Sequence, residues 1–203
     1  HLGLASASTR EISSAKNDEE IFKIFVTSVF IRYLVTLPIA FGLFFFSNKI
    51  AVDLYNNELL VFPLKIYAVT LLFQGFQSIL NSVIAGTKRF KQLFTYQVVI
   101  AIVSVLLYIP LVYYYRINGY FYALFVFNII NSAALGFMAF IPLRGKLVFP
   151  DFSDFTRLLV DIFSISIGIY LVKIVYTNWE KLGNNLLGLF NTTEIIGIYA
   201  FAL

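Results

Sequence analysis

The sequence contains no cysteine, and its one histidine is the first residue. Disulfide frameworks, thiolate metal sites and histidine-based zinc or proton-relay sites are therefore excluded as a basis for function in this chain. Phosphate-binding glycine loops, nucleophile elbows and paired carboxylates at catalytic spacing are also missing from the sequence. We accordingly expect a protein that is not an enzyme and that needs no cofactor.

Charged residues are scarce too, at 13% of the 203 residues, whereas hydrophobic residues make up 60%. The mean hydropathy of +0.84 lies far above that of a soluble domain. Five apolar runs are long enough to cross a membrane, namely 24–46, 59–84, 93–115, 120–142 and 158–177. They lack the alternation of a membrane barrel, so the sequence predicts an all-α, polytopic membrane helical bundle. Pro38, Pro63 and Pro110 are expected at kinks or helix ends.

The positions of lysine and arginine predict the orientation of the chain. Alternate connections between the runs carry nine basic residues on one side of the membrane: Arg10, Lys16, Lys23, Lys88, Arg89, Lys91, Arg144, Lys146 and Arg157. The other side carries three: Lys49, Arg116 and Lys181. The segments 1–23, 85–92 and 143–157 are therefore predicted to be cytoplasmic. We also expect the protein to cross the inner (plasma) membrane of the cell several times. Because the basic residues fall between spans, nucleic-acid binding is not expected.

Arg32 lies well inside the first apolar run, with Ser28 and Thr36 on the same helical face. A charge at this depth is costly unless it is solvated or paired, so the stripe should face protein or water. One interpretation is a cation that holds a phosphate or pyrophosphate in a water-filled cavity. The alternative is snorkelling or an interhelical hydrogen bond. For Lys65 and Lys173, nearer the outer ends of their runs, snorkelling is the favoured interpretation.

Polar residues also form a stripe along the second run, where Gln74, Gln77, Ser78 and Asn81 recur at helical spacing. A shorter stripe follows in the fourth run: Asn128, Asn131 and Ser132. Such stripes either line a hydrophilic pathway or join packed helices through amide hydrogen bonds. The sequence does not decide between the two roles.

Several separate segments resemble one family. They are Gly3-Leu4 with Arg10-Glu11-Ile12, Ala85 to Lys91, Asn118-Gly119-Tyr120 with Ala123, Tyr176 to Lys181, Leu186-Leu187-Gly188, and Ile196 to Ala200. Together they resemble the polysaccharide-flippase branch of the multidrug/oligosaccharidyl-lipid/polysaccharide exporter superfamily, over essentially all 203 residues. The resemblance implies a fold of roughly a dozen helices in two similar bundles. The chain begins at His1 within an apolar stretch, and we expect it to be an internal fragment of that fold.

The resemblance assigns residues 1–150 to most of the first bundle, from the end of the second helix through the sixth. Residues 151–203 would hold the seventh helix and the start of the eighth. An acidic-basic pair expected in the seventh helix falls on Glu180 and Lys181, which hydropathy alone places in a loop. Gly183-Asn184-Asn185 reads as an insertion expected to break or bulge that helix.

The resemblance also implies a function: transport of an undecaprenyl-pyrophosphate-linked oligosaccharide between leaflets by alternating access, with Na⁺ or H⁺ as coupling ion. Lipid-linked oligosaccharide and membrane lipids are the expected partners. The residues expected to bind substrate are Ser28, Arg32, Thr36, Gln74, Gln77, Asn81, Glu180 and Lys181. The alternatives are a multidrug or metabolite exporter, for which buried carboxylates would be typical, and a glycan polymerase or ligase, which would need a large outer loop.

Overall fold

A computed structural model describes residues 3–143 and 147–190, without the side chains of 142 and 177–190. These residues form helices and no strand, which confirms the all-α prediction. The helices are α1 (Leu4–Ser14), α2 (Asp18–Phe45), α3 (Ser47–Lys49), α4 (Val61–Gly86), α5 (Phe90–Phe140) and α6 (Phe152–Phe190). A π-helical turn lies at Ile50–Leu54, and 3-10 turns lie at Glu58–Leu60 and Ile141–Leu143.

Four helices in the described part of the chain are long and apolar enough to cross a membrane: Asp18–Phe45, Glu58–Gly86, Phe90–Phe140 and Phe152–Tyr176. The third of these is a hairpin, because Arg116 has non-helical backbone angles (φ 53°, ψ −132°). The rings of Tyr108 and Phe127 lie 6.0 Å apart, although nineteen residues of straight helix would span about 28 Å. The two arms, 90–115 and 117–140, are therefore antiparallel and account for the third and fourth predicted runs.

The turn of this hairpin needs a glycine. Gly119 lies directly against the backbone carbonyl of Leu111 on the first arm, so a Cβ atom would have no room. Arg116 has a positive φ that L residues rarely adopt.

The three predicted prolines occupy the expected kinds of position: Pro38 and Pro110 lie inside helices, and Pro63 lies in the first turn of α4.

Segment 1–23, predicted to be a cytoplasmic connection, contains a packed helix. In α1 the buried residues Leu4, Ala7, Ser8 and Ile12 recur at helical spacing, while the opposite face is polar, which keeps its hydropathy low. The following helix begins at a strong cap, because the Asn17 side chain accepts a hydrogen bond from the Glu20 backbone N–H at 2.8 Å.

The large buried side chains lie at one end of the bundle, which we call the packed end. They come from the beginnings of α2 and α6, the last turns of α4 and the end of the second arm of α5: Ile24, Ile79, Leu80, Ile84, Leu135 and Ile162. The opposite end, which we call the open end, buries mainly small residues: Thr36, Ala40, Ser47, Ala51, Ala68, Thr70, Gly119 and Ala123.

The three segments predicted to be cytoplasmic meet at the packed end. The Lys23 ammonium lies 2.6 Å from an Asp154 carboxylate oxygen and so joins α2 to α6. The Arg89 guanidinium donates a hydrogen bond to the Met138 carbonyl at 2.7 Å. Burial lowers the pKa of this guanidinium. The side of the membrane stays a prediction, and Arg144 and Lys146 lie outside the described residues.

Helix α6 is continuous from Phe152 to Phe190. The prediction that Gly183-Asn184-Asn185 would break it was wrong, as was the loop that hydropathy predicted after residue 177. A helix satisfies its backbone hydrogen bonds internally even where its residues have weak helix propensity. Unsatisfied backbone groups are costly in lipid, which favours the continuous helix. Since α6 contributes Leu158 and Ile162 to the core, it packs against the preceding helices. That contact neither requires nor excludes a second bundle, so the division at residue 150 stays a prediction.

Candidate functional site

A polar groove of about 650 Å³ lies among α1, α4, the first arm of α5 and α6. Four of its lining residues belong to the stripe predicted on the second run. The described residues that line it are Ala5, Ser6, Thr9, Gln74, Gln77, Ser78, Asn81, Ser82, Ala85, Leu93, Gln97 and Lys173. We call this cavity the amide groove.

The residues of the stripe divide into two roles. Gln74 and Ser78 line the amide groove, and neither side chain has a hydrogen-bond partner among the described residues. The Asn81 amide nitrogen donates to the Gln77 carbonyl at 3.0 Å, which leaves its side-chain oxygen available. These three side chains therefore present unused donors and acceptors to the groove.

Gln77 has the other role, because its amide joins α4 to the second arm of α5. Its nitrogen lies 3.0 Å from the Asn128 carbonyl, 3.1 Å from the Asn128 side-chain oxygen and 2.9 Å from the Ser132 hydroxyl. Its oxygen accepts a hydrogen bond from Asn131 at 2.8 Å. The shorter predicted stripe is thus the partner of Gln77, and the two stripes meet because α5 turns back at Arg116.

Short hydroxyl bonds hold α1 in place beside the groove. The Ser82 hydroxyl donates to the Ala5 carbonyl at 2.9 Å, alongside a bond to its own helix. On the other face of α1, the Ser8 hydroxyl donates to the Ser28 hydroxyl at 2.8 Å. Ser28 is fully buried in this contact. The structure therefore places Ser28 in helix packing and outside the lining of the amide groove.

A second cavity, of about 320 Å³, lies between α2 and α6 beside the start of α1. We call it the arginine cavity. Its polar side chains are Arg32, Thr36, Ser166 and Tyr170, and the rest of its lining is apolar: Leu4, Ile31, Val35, Phe163 and Ile167. Arg32 and Thr36 therefore share a cavity as their spacing predicts, while Ser28 does not line it.

Arg32 is a cation without a protein counter-ion in the described part of the chain. Its buried Nε atom has no hydrogen-bond partner there. Its side chain packs against Gly75 of α4, where an added Cβ would lie 3.3 Å from Nε. The interhelical hydrogen bond that the sequence left open is therefore not formed with any described residue, and the guanidinium borders a mostly apolar space.

The two cavities lie on different faces of α1 and α4. Gln74 lines the amide groove, and the next residue, Gly75, lies against Arg32. In α1, Leu4 lines the arginine cavity and Ala5 lines the amide groove. The predicted site residues therefore form two separate groups. Glu180 and Lys181 lie within α6, and their side chains are outside the described residues.

The two lysines at membrane depth differ in position. Lys65 is exposed, with its ammonium 5.9 Å above the Phe44 ring, which fits snorkelling at the open end. Lys173 instead lines the amide groove, because α6 packs against α1. Snorkelling was the favoured interpretation for both; Lys173 is exposed as well as bordering the groove, so for this lysine snorkelling stays a prediction.

Four polar groove residues were missed from the sequence: Ser6, Thr9, Ser82 and Gln97. Ser6 lies in a segment taken for a connection, and Gln97 is an isolated amide in an apolar run. The isolation of Gln97 was the available signal, since a lone amide in a membrane span is expected to face protein or water.

Within the described residues, no group of three or more histidine, cysteine, aspartate or glutamate side chains is arranged to hold a metal ion.

A family described as polysaccharide biosynthesis protein matches residues 3–203. The chain belongs to this family. Comparison with curated proteins and with solved structures gives no match. Membership of the polysaccharide biosynthesis family, with four helices able to span a membrane, identifies a membrane protein with a role in polysaccharide biosynthesis or export.

Proposed function

We propose that this protein is part of a transporter that moves a lipid-linked oligosaccharide from the cytoplasmic to the outer leaflet of the plasma membrane by alternating access. The observation that carries the proposal is the amide groove, a polar cavity among membrane-spanning helices of a polysaccharide biosynthesis protein. The protein performs no chemistry on its substrate in this proposal, and a Na⁺ or H⁺ gradient drives the cycle.

The physical problem of such transport is the oligosaccharide head, whose hydroxyl groups lose their water in a hydrocarbon core. Each unsatisfied polar group there costs several kcal/mol, on the order of 4–8 for transfer to an alkane. Amide and hydroxyl side chains that line a groove replace those lost hydrogen bonds. Gln74, Ser78 and Gln97 supply such groups without giving up bonds to described residues.

The arginine cavity suits the anionic part of the same substrate. Arg32 presents an unpaired guanidinium to a space lined mostly by apolar side chains. A pyrophosphate attached to a polyprenyl chain combines a dianion, which a planar guanidinium binds, with a hydrocarbon that favours such walls. This match supports an anionic lipid carrier as the substrate.

The alternatives fit the two cavities less well. Neither lining contains a carboxylate among the described residues, although a pump for cationic drugs would need one to neutralise its substrate. A polymerase or ligase needs a general acid or base at the sugar, and the same linings contain no histidine, aspartate or glutamate. Transport of a lipid-linked oligosaccharide therefore remains the function that the two cavities support best.

The test is restoration of surface glycan in cells that lack the gene, with variants compared at equal protein levels. Arg32→Gln should lose at least about tenfold in export, since each 1.4 kcal/mol of lost anion binding is tenfold. Arg32→Lys should retain part of the activity, because it keeps the charge but loses the planar fork. Lys65→Gln is the matched control, because this lysine is exposed and lines neither cavity.

Accumulation of the lipid-linked intermediate on the cytoplasmic leaflet should accompany the loss in Arg32→Gln. Normal export by that variant would show that the residue is structural and would remove the arginine cavity from the proposal. Normal export by cells that lack the gene altogether would contradict the transport function itself.

A further inference from the structure

We propose that the amide groove binds the sugar head of the substrate and that the arginine cavity binds its phosphate end, so that one molecule is held at two separate sites on either side of α1. This division rests on the proposed function and goes beyond it, since transport alone does not require two sites. The sugar held in the groove is recognised through its hydroxyl groups.

The first argument is the chemistry of the groove. Among the described residues, its polar lining consists of amides and hydroxyls with one cation, Lys173, and no carboxylate. An amide offers donors and an acceptor in one plane, which matches the neighbouring hydroxyls of a sugar, each both donor and acceptor. A phosphate end presents acceptors and negative charge only, so it is matched better by the planar paired donors of Arg32 than by amides that are both donor and acceptor.

The second argument is the state of the groove side chains. Gln74, Ser78 and Gln97 lack hydrogen-bond partners among the described residues, whereas Gln77 uses its whole amide in the contact with α5. A stripe that served only to join helices would have all its amides paired across the interface, as Gln77 has. The unused groups border the open volume of the groove instead.

The third argument is the wall between the two cavities. Leu4 and Ala5 are neighbours in α1 but line different cavities, and Gln74 and Gly75 are divided in the same way on α4. Both cavities are bordered by α6, through Tyr170 and Lys173, about one helical turn apart. The two cavities are therefore separated by α1 and α4 and share α6 as a common border, so one extended substrate along α6 could contact both.

The experiment uses a photo-crosslinking amino acid in the full protein, in cells whose glycan is labelled with a radioactive sugar. Probes are placed at Gln97 in the amide groove and at Ile167 in the arginine cavity. A third probe, at Gln92, is the matched control: it is an exposed glutamine on the same arm of α5 that does not line the amide groove. Mild acid then cleaves the bond between the sugar and the pyrophosphate.

A probe attached to the sugar keeps the radioactive label after acid treatment, and a probe attached to the lipid or phosphate loses it. We expect a labelled adduct at Gln97 that survives acid, an adduct at Ile167 that loses its label, and no adduct at Gln92. Gln74→Leu should lower the adduct at Gln97 about fivefold, the effect of one lost hydrogen bond of about 1 kcal/mol, and should spare the adduct at Ile167.

An adduct at Gln97 that loses its label in acid would overturn the division, because the groove would then hold the phosphate or lipid end, while the transport function would stand. An adduct at Ile167 alone would overturn it as well. Labelled adducts at none of the three positions would contradict the proposed function, and the division of sites with it.

Discussion

The two ends of the bundle are built from the same helices and differ in the size of the side chains they bury. At the packed end, α2 and α4 meet through Ile24, Ile79 and Ile84. At the open end the same helices bury Ala40, Ala68 and other small residues, and their large apolar side chains point outward. Along α2 and α4, the buried side chains change from large to small at about the depth of Arg32 and Gln74.

This difference bears on how substrate would enter in the proposed transport cycle. Large buried side chains fill the space among α2, α4 and α6 at the packed end, and the Lys23–Asp154 ion pair joins α2 to α6 there. The arginine cavity lies beyond this contact, beside Leu4 at the start of α1, whereas the amide groove runs along α4 from Gln74 to Ala85 and so reaches the packed end. In the proposed alternating-access cycle, α2 and α6 must separate at the packed end before substrate entering from the predicted cytoplasmic side reaches the arginine cavity.

Locking the packed end is expected to have the largest effect. The chain has no cysteine, so a pair of cysteines in place of Lys23 and Asp154 can be joined by a short bifunctional thiol reagent. The crosslink should abolish export, because α2 and α6 can no longer separate on the side where substrate enters. Surface glycan, measured before and after the reagent, is the readout.

Each single-cysteine variant treated with the same reagent is the control and should export as before treatment. Undiminished export by the crosslinked pair would mean that the packed end does not open during transport. The packing difference between the two ends would then be a feature of stability alone.

The second largest effect is expected at a close helix contact in the packed end. A Cβ atom at Gly86 would lie 2.6 Å from Ile12 and 3.0 Å from the Thr9 carbonyl. Gly86→Ala should therefore destabilise the protein by about 1–3 kcal/mol through overpacking of α1 against α4. The measurement is thermal unfolding of purified protein in detergent.

The control for this contact is Gly136→Ala on α5, where an added Cβ meets no atom within 4 Å. That change should be neutral or stabilising by up to about 1 kcal/mol, because alanine favours the helix over glycine. Equal melting temperatures for the two variants would contradict the close contact between α1 and α4.

Sequence reasoning located the spans and the polar stripes but not their partners. The spacing of Gln74, Gln77, Ser78 and Asn81 put them on one face, and hydrophobic length found the helices. Which amide is paired depends on where the second arm of α5 passes, and that is set by the turn at Arg116. Helix α1 was missed because its polar face lowers its hydropathy, and the groove position of Lys173 follows from the contact of α6 with α1.

The division of roles within the stripe predicts a separation of stability from activity. Gln77→Leu leaves Asn131, Asn128 and Ser132 without their partner. It should cost about 1–2 kcal/mol of unfolding free energy, between the value for one buried unsatisfied group and the smaller average measured within membranes. Gln74→Leu, three residues earlier, breaks no described hydrogen bond and should leave the melting temperature unchanged while lowering export. A stability loss in Gln74→Leu equal to that in Gln77→Leu would mean that the whole stripe serves helix packing.

The smallest effect is expected for the ion pair itself when it is removed rather than locked. The Lys23 and Asp154 side chains are 22% and 29% exposed, so water and salt screen their attraction, and most of the contact between α2 and α6 comes from the aromatic and aliphatic side chains around them. A double-mutant cycle with Lys23→Met, which keeps the apolar stem, and Asp154→Asn isolates the coupling between the two groups. The coupling should be favourable at low salt, smaller than the loss in Gln77→Leu, and absent at about 1 M salt, where the Debye length is about 3 Å. Thermal unfolding of the four proteins at both salt concentrations measures it. A coupling that persists unchanged at high salt would show that the pair is shielded from water, and the ion pair, rather than the packed side chains, would then be the principal contact between α2 and α6 at the packed end.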